Sequence, residues 1–317
     1  MKVLRNGYMK QENVKKIREN IEERFVGKAS VVDSVIIALL AGGHVLIEDV
    51  PGVGKTKLAK SLAQSVDASF ARVQFTPDTL PTDITGVSIY DAKEAKFNVV
   101  KGPIHNEIVL ADEINRTSPK TQSALLEAME EHQVTIDGKT FQLPELFMVL
   151  ATQNPVEQLG TYMLPEAELD RFLMKISIGY PKMEMQKDMA KRFLEGTLEK
   201  PLTPVLKAED IIQMKEEVKQ VTMTDEIVEY ALSIVDASRS NDNLEYGLSP
   251  RAGLDLLIAS KAAAYVAERD YVIPEDVISM AKKTLPHRMI LTTQSKMNRY
   301  TGSQLIVDII EKIKRPN

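Results

Sequence analysis

The 317-residue chain contains no cysteine and no tryptophan. Without cysteine there is no disulfide, no thiolate nucleophile and no Cys-ligated zinc. Only four histidines are present, His44, His105, His132 and His287, and their scatter along the chain argues against a metal site built from imidazoles. Aromatic residues make up 5% of the chain, few for stacking on successive bases. A dominant sign of charge is also missing: 40 Lys and Arg stand against 45 Asp and Glu, and the net charge of -5 gives no reason to expect a polyanion partner. No stretch reaches the ~18 uninterrupted apolar residues of a membrane span. The longest, SVVDSVIIALLAGGHVLIEDV, is broken by Asp33 and by the Gly42-Gly43 pair. The first residues, MKVLRNGYMKQENVKK, are polar and lack the apolar centre of a signal peptide, so a cytoplasmic protein is expected.

What is present is an ordinary globular composition, 44% hydrophobic and 27% charged, on a chain long enough for two domains. The first half alternates short runs rich in Val, Ile, Leu and Phe with helical stretches: residues 44–50, 68–75, 107–113, 147–154 and 174–180 read as strands. That alternation predicts a parallel sheet with crossover helices. One helix is marked at its start by Ser118 as N-cap and Pro119 at the first helical position. Two inserts interrupt the pattern. Residues 87–100 read as two strand-like pieces around a charged turn, and residues 133–143 place Asp137-Gly138 between alternating residues, a hairpin signal. After Pro181 the texture turns to helices only, with N-caps expected at Thr224 and Ser249. The expected organisation is an N-terminal helical arm over residues 1–24, an α/β core over 25–181 and a helical domain over 182–317. The tail over 301–317 reads as a short amphipathic helix, able to pack on that domain or to meet a partner.

The strongest chemical signal is EDVPGVGKT (48–56), a glycine-rich loop between a strand and a helix. Backbone N–H groups can wrap phosphates there only if side chains are absent at Gly52 and Gly54. Pro51, Gly52, Val53, Gly54, Lys55, Thr56 and Lys57 are therefore the candidate phosphate-binding segment, with Lys55 neutralising phosphate charge and Thr56 offering a hydroxyl to Mg²⁺. The pattern G-x-x-x-x-G-K-[ST] asks for glycine at position 49, and this chain has Asp49. The second signal is IVLADE (108–113), an apolar strand ending in two acids, expected beside the P-loop strand. Asp112 fits the Mg²⁺-binding carboxylate, and Glu113 is placed to orient or deprotonate an attacking water.

Three further elements make a resemblance specific. ATQNP (151–155) ends a strand on Asn154, LPEAELDRF (164–172) carries Arg171, and GLSPRAGLDLL (247–257) carries Arg251 in the first turn of a helix. Together with DEINRTSPKTQSALLEAMEE (112–131) and the two hairpins, they resemble the MoxR family of AAA+ ATPases over nearly the whole chain. The resemblance implies an α/β fold, a P-loop AAA+ core with a parallel sheet and two β-hairpin inserts, followed by a smaller all-helical lid domain. It implies ATP and Mg²⁺ as cofactors, Asn154 as sensor 1, Arg171 as an arginine finger reaching the neighbouring subunit's ATP, and Arg251 as sensor 2, in cis or in trans. Val26 and Gly27 stand where AAA+ proteins often contact adenine. Arg116 and Arg288 also resemble family positions, without an assigned role, and Met163 replaces the family's usual proline. The implied assembly is a homo-oligomeric ring, most simply a hexamer, that remodels a client protein, in some relatives one with a von Willebrand factor A domain.

Three other classes share parts of this pattern. A nucleic-acid translocase of helicase type would use the same inserts and sensors, with Lys93, Lys96 and Lys101 around the first insert. The acidic balance and scarce aromatics argue against it. A nucleotide-gated scaffold would not need the Asp112-Glu113 pair; against a small-molecule kinase or GTPase stand the absence of an N-K-x-D guanine motif and the helical second domain, which suits the AAA+ class better.

Overall fold

Strands form where the sequence places branched and long apolar side chains, and five of them build one parallel sheet. The computed structural model describes residues 2–155 and 161–316. The chain enters through helices α1 (Lys2–Glu22) and α2 (Ala29–Ala41), then strand β1 (Val45–Glu48), α3 (Lys55–Ser65) and β2 (Phe70–Gln74). A short α4 (Pro81–Thr85) leads into the hairpin β3 (Gly86–Asp91) and β4 (Lys96–Lys101). Next come β5 (Ile108–Asp112), α5 (Pro119–Glu131), the hairpin β6 (Gln133–Ile136) and β7 (Lys139–Gln142), β8 (Met148–Gln153), α6 (Glu166–Leu169) and β9 (Met174–Ile176). The sheet order is β2-β5-β8-β1-β9, all parallel. Both hairpins stand apart from it as separate two-stranded units, as the sequence pattern predicts. In the second, Asp137 and Gly138 both take positive φ, 47° and 73°, which suits a tight two-residue turn.

Alternation along the strands sends side chains to two cores. Val45, Ile47, Ile108, Leu110, Met148 and Leu150 face one apolar cluster, whereas Leu46, Val109, Ala111, Val149 and Ala151 face the other. Helices α4 and α5 and the β6–β7 hairpin cover the second cluster. The first is shared with the C-terminal half: α7 (Met183–Leu194), α8 (Ala208–Lys219), α9 (Asp225–Arg239), strand β10 (Leu244–Tyr246), α10 (Pro250–Val266), α11 (Pro274–Thr284), strand β11 (Ile290–Leu291), α12 (Thr293–Met297) and α13 (Gly302–Lys312). Helix α2 packs against α8 and α10, so Val32, Ile36 and Leu39 share one cluster with Ile211, Leu256 and Ala259. Each of the Val, Ile and Leu side chains contributes roughly 1.5–3 kcal/mol by leaving water, and the smaller Ala259 methyl correspondingly less.

Start signals hold at two of three helices. Ser118 and Ser249 occupy the N-cap positions of α5 and α10 and accept from the N–H groups of Thr121 and Ala252, with Pro119 and Pro250 following. Thr224 stands at the N-cap of α9 without making that bond, and Asp225 and Glu226 supply negative charge to the first turn. The C-terminal half is not purely helical. β10 and β11 form a small antiparallel pair, and Thr222 bridges Tyr271. These strands are too short to leave a periodic pattern; they supply partners for the loop backbone between α9 and α10. The tail packs at home: α13 buries Leu305, Ile306, Ile309 and Ile310. Among the described residues no helix is long and apolar enough to cross a membrane.

Two histidines are locked in the neutral form. His44 Nε2 donates to the Met129 carbonyl and its Nδ1 accepts from Val149 N–H, while His287 Nε2 donates to the Phe172 carbonyl. Burial lowers His44 to about 4 and His287 to about 3. The folded state therefore refuses protons that the unfolded chain accepts below about pH 6.5. Their contribution to stability is complete above that pH and is lost as pH falls toward the folded values. Between pH 6.5 and 5 each is expected to cost about 2 kcal/mol, read as a fall in unfolding free energy in urea titrations. A flat profile across that window would contradict the burial assigned to both rings.

Candidate active site

Strand β1 ends at Glu48 and α3 begins at Lys55; the turn between them is the glycine-rich loop. Gly52 and Gly54 have φ of 83° and 95°, a region that side-chain-bearing residues rarely adopt. The backbone can thus curl around an anion at the start of α3. The loop opens onto a cavity of about 730 Å³ at the C-terminal ends of the strands, where open α/β sheets place ligands. Pro51, Gly52, Gly54, Lys55, Thr56, Lys57, Asp112, Glu113 and Asn154 all line it. Sequence reasoning thus assembled one site from three separate segments. Val53 instead turns inward and joins the core.

One expectation is corrected. The strand carrying Asp112 is not the neighbour of the P-loop strand: β8 lies between β5 and β1. That insertion brings Asn154, one residue past β8, between the P-loop and the acidic pair. It also places Thr152 where its hydroxyl donates to Asp112 Oδ1 at 2.7 Å and accepts from Glu113 N–H at 2.8 Å.

Each charged group is held. Lys55 Nζ donates to the Asp49 carbonyl at 2.5 Å and to the Gln153 carbonyl at 3.4 Å. Burial lowers the Lys55 pKa, and Asp49, Asp112 and Glu113 oppose that shift. Asp112 Oδ2 accepts from the Arg72 guanidinium at 2.7 and 3.2 Å. Glu113 follows β5 in the left-handed region, φ 59° and ψ 48°, a conformation that costs on the order of 1 kcal/mol or more and recurs at functional sites. Its Oε2 accepts from Gln74 Nε2 at 2.7 Å and from Arg116 Nη1 at 2.9 Å. Arg72 and Gln74 were not singled out from sequence. The signal was there, since polar residues two apart on a strand share a face, and here that face looks onto the acidic pair.

Asp49 explains its own departure from the glycine pattern. Its side chain is buried, and Oδ2 accepts from Ser177 Oγ, Ile178 N and Gly179 N at 3.0, 2.6 and 2.8 Å. The carboxylate ties the start of the P-loop to the chain leaving β9. Asp49→Gly restores the standard motif, yet it leaves the buried Ile178 N–H and the partly buried Gly179 N–H without their acceptor and is expected to cost roughly 2–4 kcal/mol of stability. Urea unfolding reads this; an unchanged or raised midpoint would show that the clamp contributes nothing.

Val26 and Gly27 do not line the cavity. The Phe25 ring packs against Gly27 and Gly54, where a Cβ would meet it at 2.3 and 3.4 Å. The outer wall comes instead from Arg24 and Leu198–Pro201. Arg24 Nε donates to the Lys200 carbonyl at 2.7 Å, and Lys57 pairs with Glu199 at 2.8 Å. Arg171 and Arg251 also lie off the cavity lining. Both end on Glu130 at the close of α5: Arg171 Nε donates to Oε2 at 2.6 Å and Arg251 Nη1 to Oε1 at 2.8 Å. The Arg171 hydrogen bond is the largest cause holding the Glu130 carboxyl below its usual range, with Arg251 adding to it. His44 and His132, distant in sequence, bring their rings to 6.4 Å, but no group of three or more metal-ligating side chains occurs among the described residues.

A P-loop, an acidic pair across an intervening strand and a helical domain docked beside them define an ATPase of the AAA+ class. The family model described as "ATPase family associated with various cellular activities (AAA)" matches residues 44–174, and the one described as "AAA lid domain" matches 236–310. The chain is 38% identical over 305 residues to Chaperone MoxR1 of Mycobacterium tuberculosis, covering 93% of this chain and 80% of that protein. It belongs to the MoxR family of AAA+ ATPases. It is also 50% identical over 298 residues to the uncharacterized protein YeaC of Bacillus subtilis, covering 94% and 93% of the two chains. A crystal structure of a putative ATPase from Cytophaga hutchinsonii matches with a TM-score of 0.93 at 36% identity, over 100% of this chain and 98% of that one.

Proposed function

We propose that the chain works as a cytoplasmic ring, most simply a hexamer, binding Mg-ATP at each subunit boundary and using hydrolysis for chaperone-like remodelling of a partner protein. The observation that carries this reading is the placement of Arg171 and Arg251. They lie off the lining of the subunit's own cavity, paired on one exposed carboxylate, while Lys55, Thr56, Asp112, Glu113 and Asn154 all line that cavity. A neighbour is the simplest recipient of both arginines, and this reading takes Arg251 to act in trans beside Arg171.

Within one subunit, the loop N–H groups and Lys55 bind the phosphates. Thr56 and Asp112 offer hard oxygen ligands in one cavity, a set that fits Mg²⁺, which takes one or two protein oxygens and fills its octahedron from phosphate and water. When bound, the ion neutralises phosphate charge. Glu113 takes the proton of the attacking water, and Asn154 positions that water. Arg72 on Asp112, and Gln74 and Arg116 on Glu113, hold the carboxylates in place. A von Willebrand factor A domain protein is the client class the family suggests, and stimulation of turnover by such a domain supports it. Stimulation by DNA instead would favour a nucleic-acid motor.

Specific ATPase activity measured across protein concentration tests the ring. It is expected to rise with concentration in parallel with the assembled fraction seen by sedimentation. Constant specific activity down to the monomer would refute a site completed by a neighbour.

A further inference from the structure

Arg288 is buried in the seam between the two halves of the chain, its side chain only 2% exposed. Such a charge requires partners, and it has them on both sides. Nη2 donates to Asp255 Oδ2 of α10 at 2.6 Å and to the Phe172 carbonyl at 2.9 Å. Nε stands 3.4 Å from Asp170 Oδ1, an ion-pair contact. His287 Nε2 donates to the same Phe172 carbonyl at 2.9 Å. Asp170 and Phe172 flank Arg171, so the peptide carrying that arginine is gripped immediately before and immediately after it.

The grip extends to the second arginine. Arg251 and Asp255 lie four residues apart on α10, hence on one face. Arg251 reaches Glu130, and Asp255 reaches Arg288. Ser249, the N-cap of that helix, donates to Asp170 Oδ2 at 3.3 Å. Two ionic bridges therefore cross the same seam: Glu130 joins the arginine tips, and Arg288 joins their bases.

We propose that Arg288 is a positioning residue that fastens Arg171 and Arg251 into one rigid two-pronged unit, presented together to the phosphates of a neighbouring subunit. The proposal rests on the reading that both arginines act in trans. It implies that the lid and the finger segment move as one body, and that the carboxylates of Asp170 and Asp255 act on a neighbour's turnover without touching its nucleotide.

Asp255→Asn is the variant of choice. It is nearly isosteric and weakens the Arg288 grip, whereas Arg288→Ala would strand two carboxylates and endanger folding. Its kcat is expected to fall roughly 10–100-fold, the scale of one charge-assisted hydrogen bond, with KM for ATP and ATP binding unchanged. Asp255→Asn subunits are then mixed with an excess of Glu113→Gln subunits, which cannot hydrolyse but carry an intact arginine pair. Turnover per Asp255→Asn site should return toward the wild-type value, because the defect lies in what the subunit lends and not in its own cavity. A general loss of structure would not be rescued in this way. Arg171→Ala in the same mixture is the control. If Arg171→Ala recovers and Asp255→Asn does not, or if Asp255→Asn has normal kcat alone, the positioning role of Arg288 is wrong while the trans reading stands. If Arg171→Ala also fails to recover, both fall together.

Discussion

Arg171→Ala is expected to lower kcat by roughly 10³–10⁵-fold, the range for an arginine that completes a phosphoryl-transfer site from outside. ATP binding by the variant should stay near that of the native chain, because Arg171 does not line its own subunit's cavity. The fold should survive too. Arg171 pairs with Glu130 at a partly exposed position, and Glu130 keeps Arg251. The expected signature is therefore a split, with nucleotide titration unchanged and single-turnover hydrolysis lost. A variant that loses binding and turnover equally would place Arg171 in its own site, against the geometry.

Glu113→Gln should be nearly as severe for a different reason. The amide keeps the size and the hydrogen-bonding capacity toward Gln74 and Arg116, but it cannot take a proton from water. A loss of roughly 10²–10⁴-fold in kcat is expected, with ATP held and not turned over. The backbone of Glu113, at φ 59°, is fixed by its N–H bond to Thr152 and does not depend on the side-chain charge. Turnover within tenfold of the native rate would remove Glu113 from the base role and direct attention to Asn154 as the water's main contact.

The parts of this account that were legible in the sequence are those written locally. Val, Ile and Leu runs between helical stretches mark the sheet strands, Asp137-Gly138 marks a hairpin, and Ser118-Pro119 marks the start of α5. The loop Pro51–Thr56 and the acidic pair Asp112-Glu113 converge on one cavity because both end parallel strands at the same edge of the sheet. What escaped was set by tertiary contact. No local pattern told that β8 would slip between β5 and β1, since strand order depends on crossovers and not on composition. Val26 and Gly27 failed to reach the cavity because Phe25 packs against the glycines of both segments. Glu130 stands among several acids at the end of α5, and only the docked C-terminal half brings Arg251 to it. Arg288 resembles a family position with no role legible in the sequence, and only its burial between Asp170 and Asp255 shows what it holds. Asp49, which departs from the P-loop pattern, became intelligible only once its three donors at 177–179 were placed.

The most direct test mixes Glu113→Gln with Arg171→Ala subunits, each expected to be inactive alone. If the site is completed by a neighbour, an equal mixture should regain activity at about one interface in four, where an Arg171→Ala cavity meets an intact Arg171. A mixture no more active than its two components, in rings shown to contain both, would contradict the account.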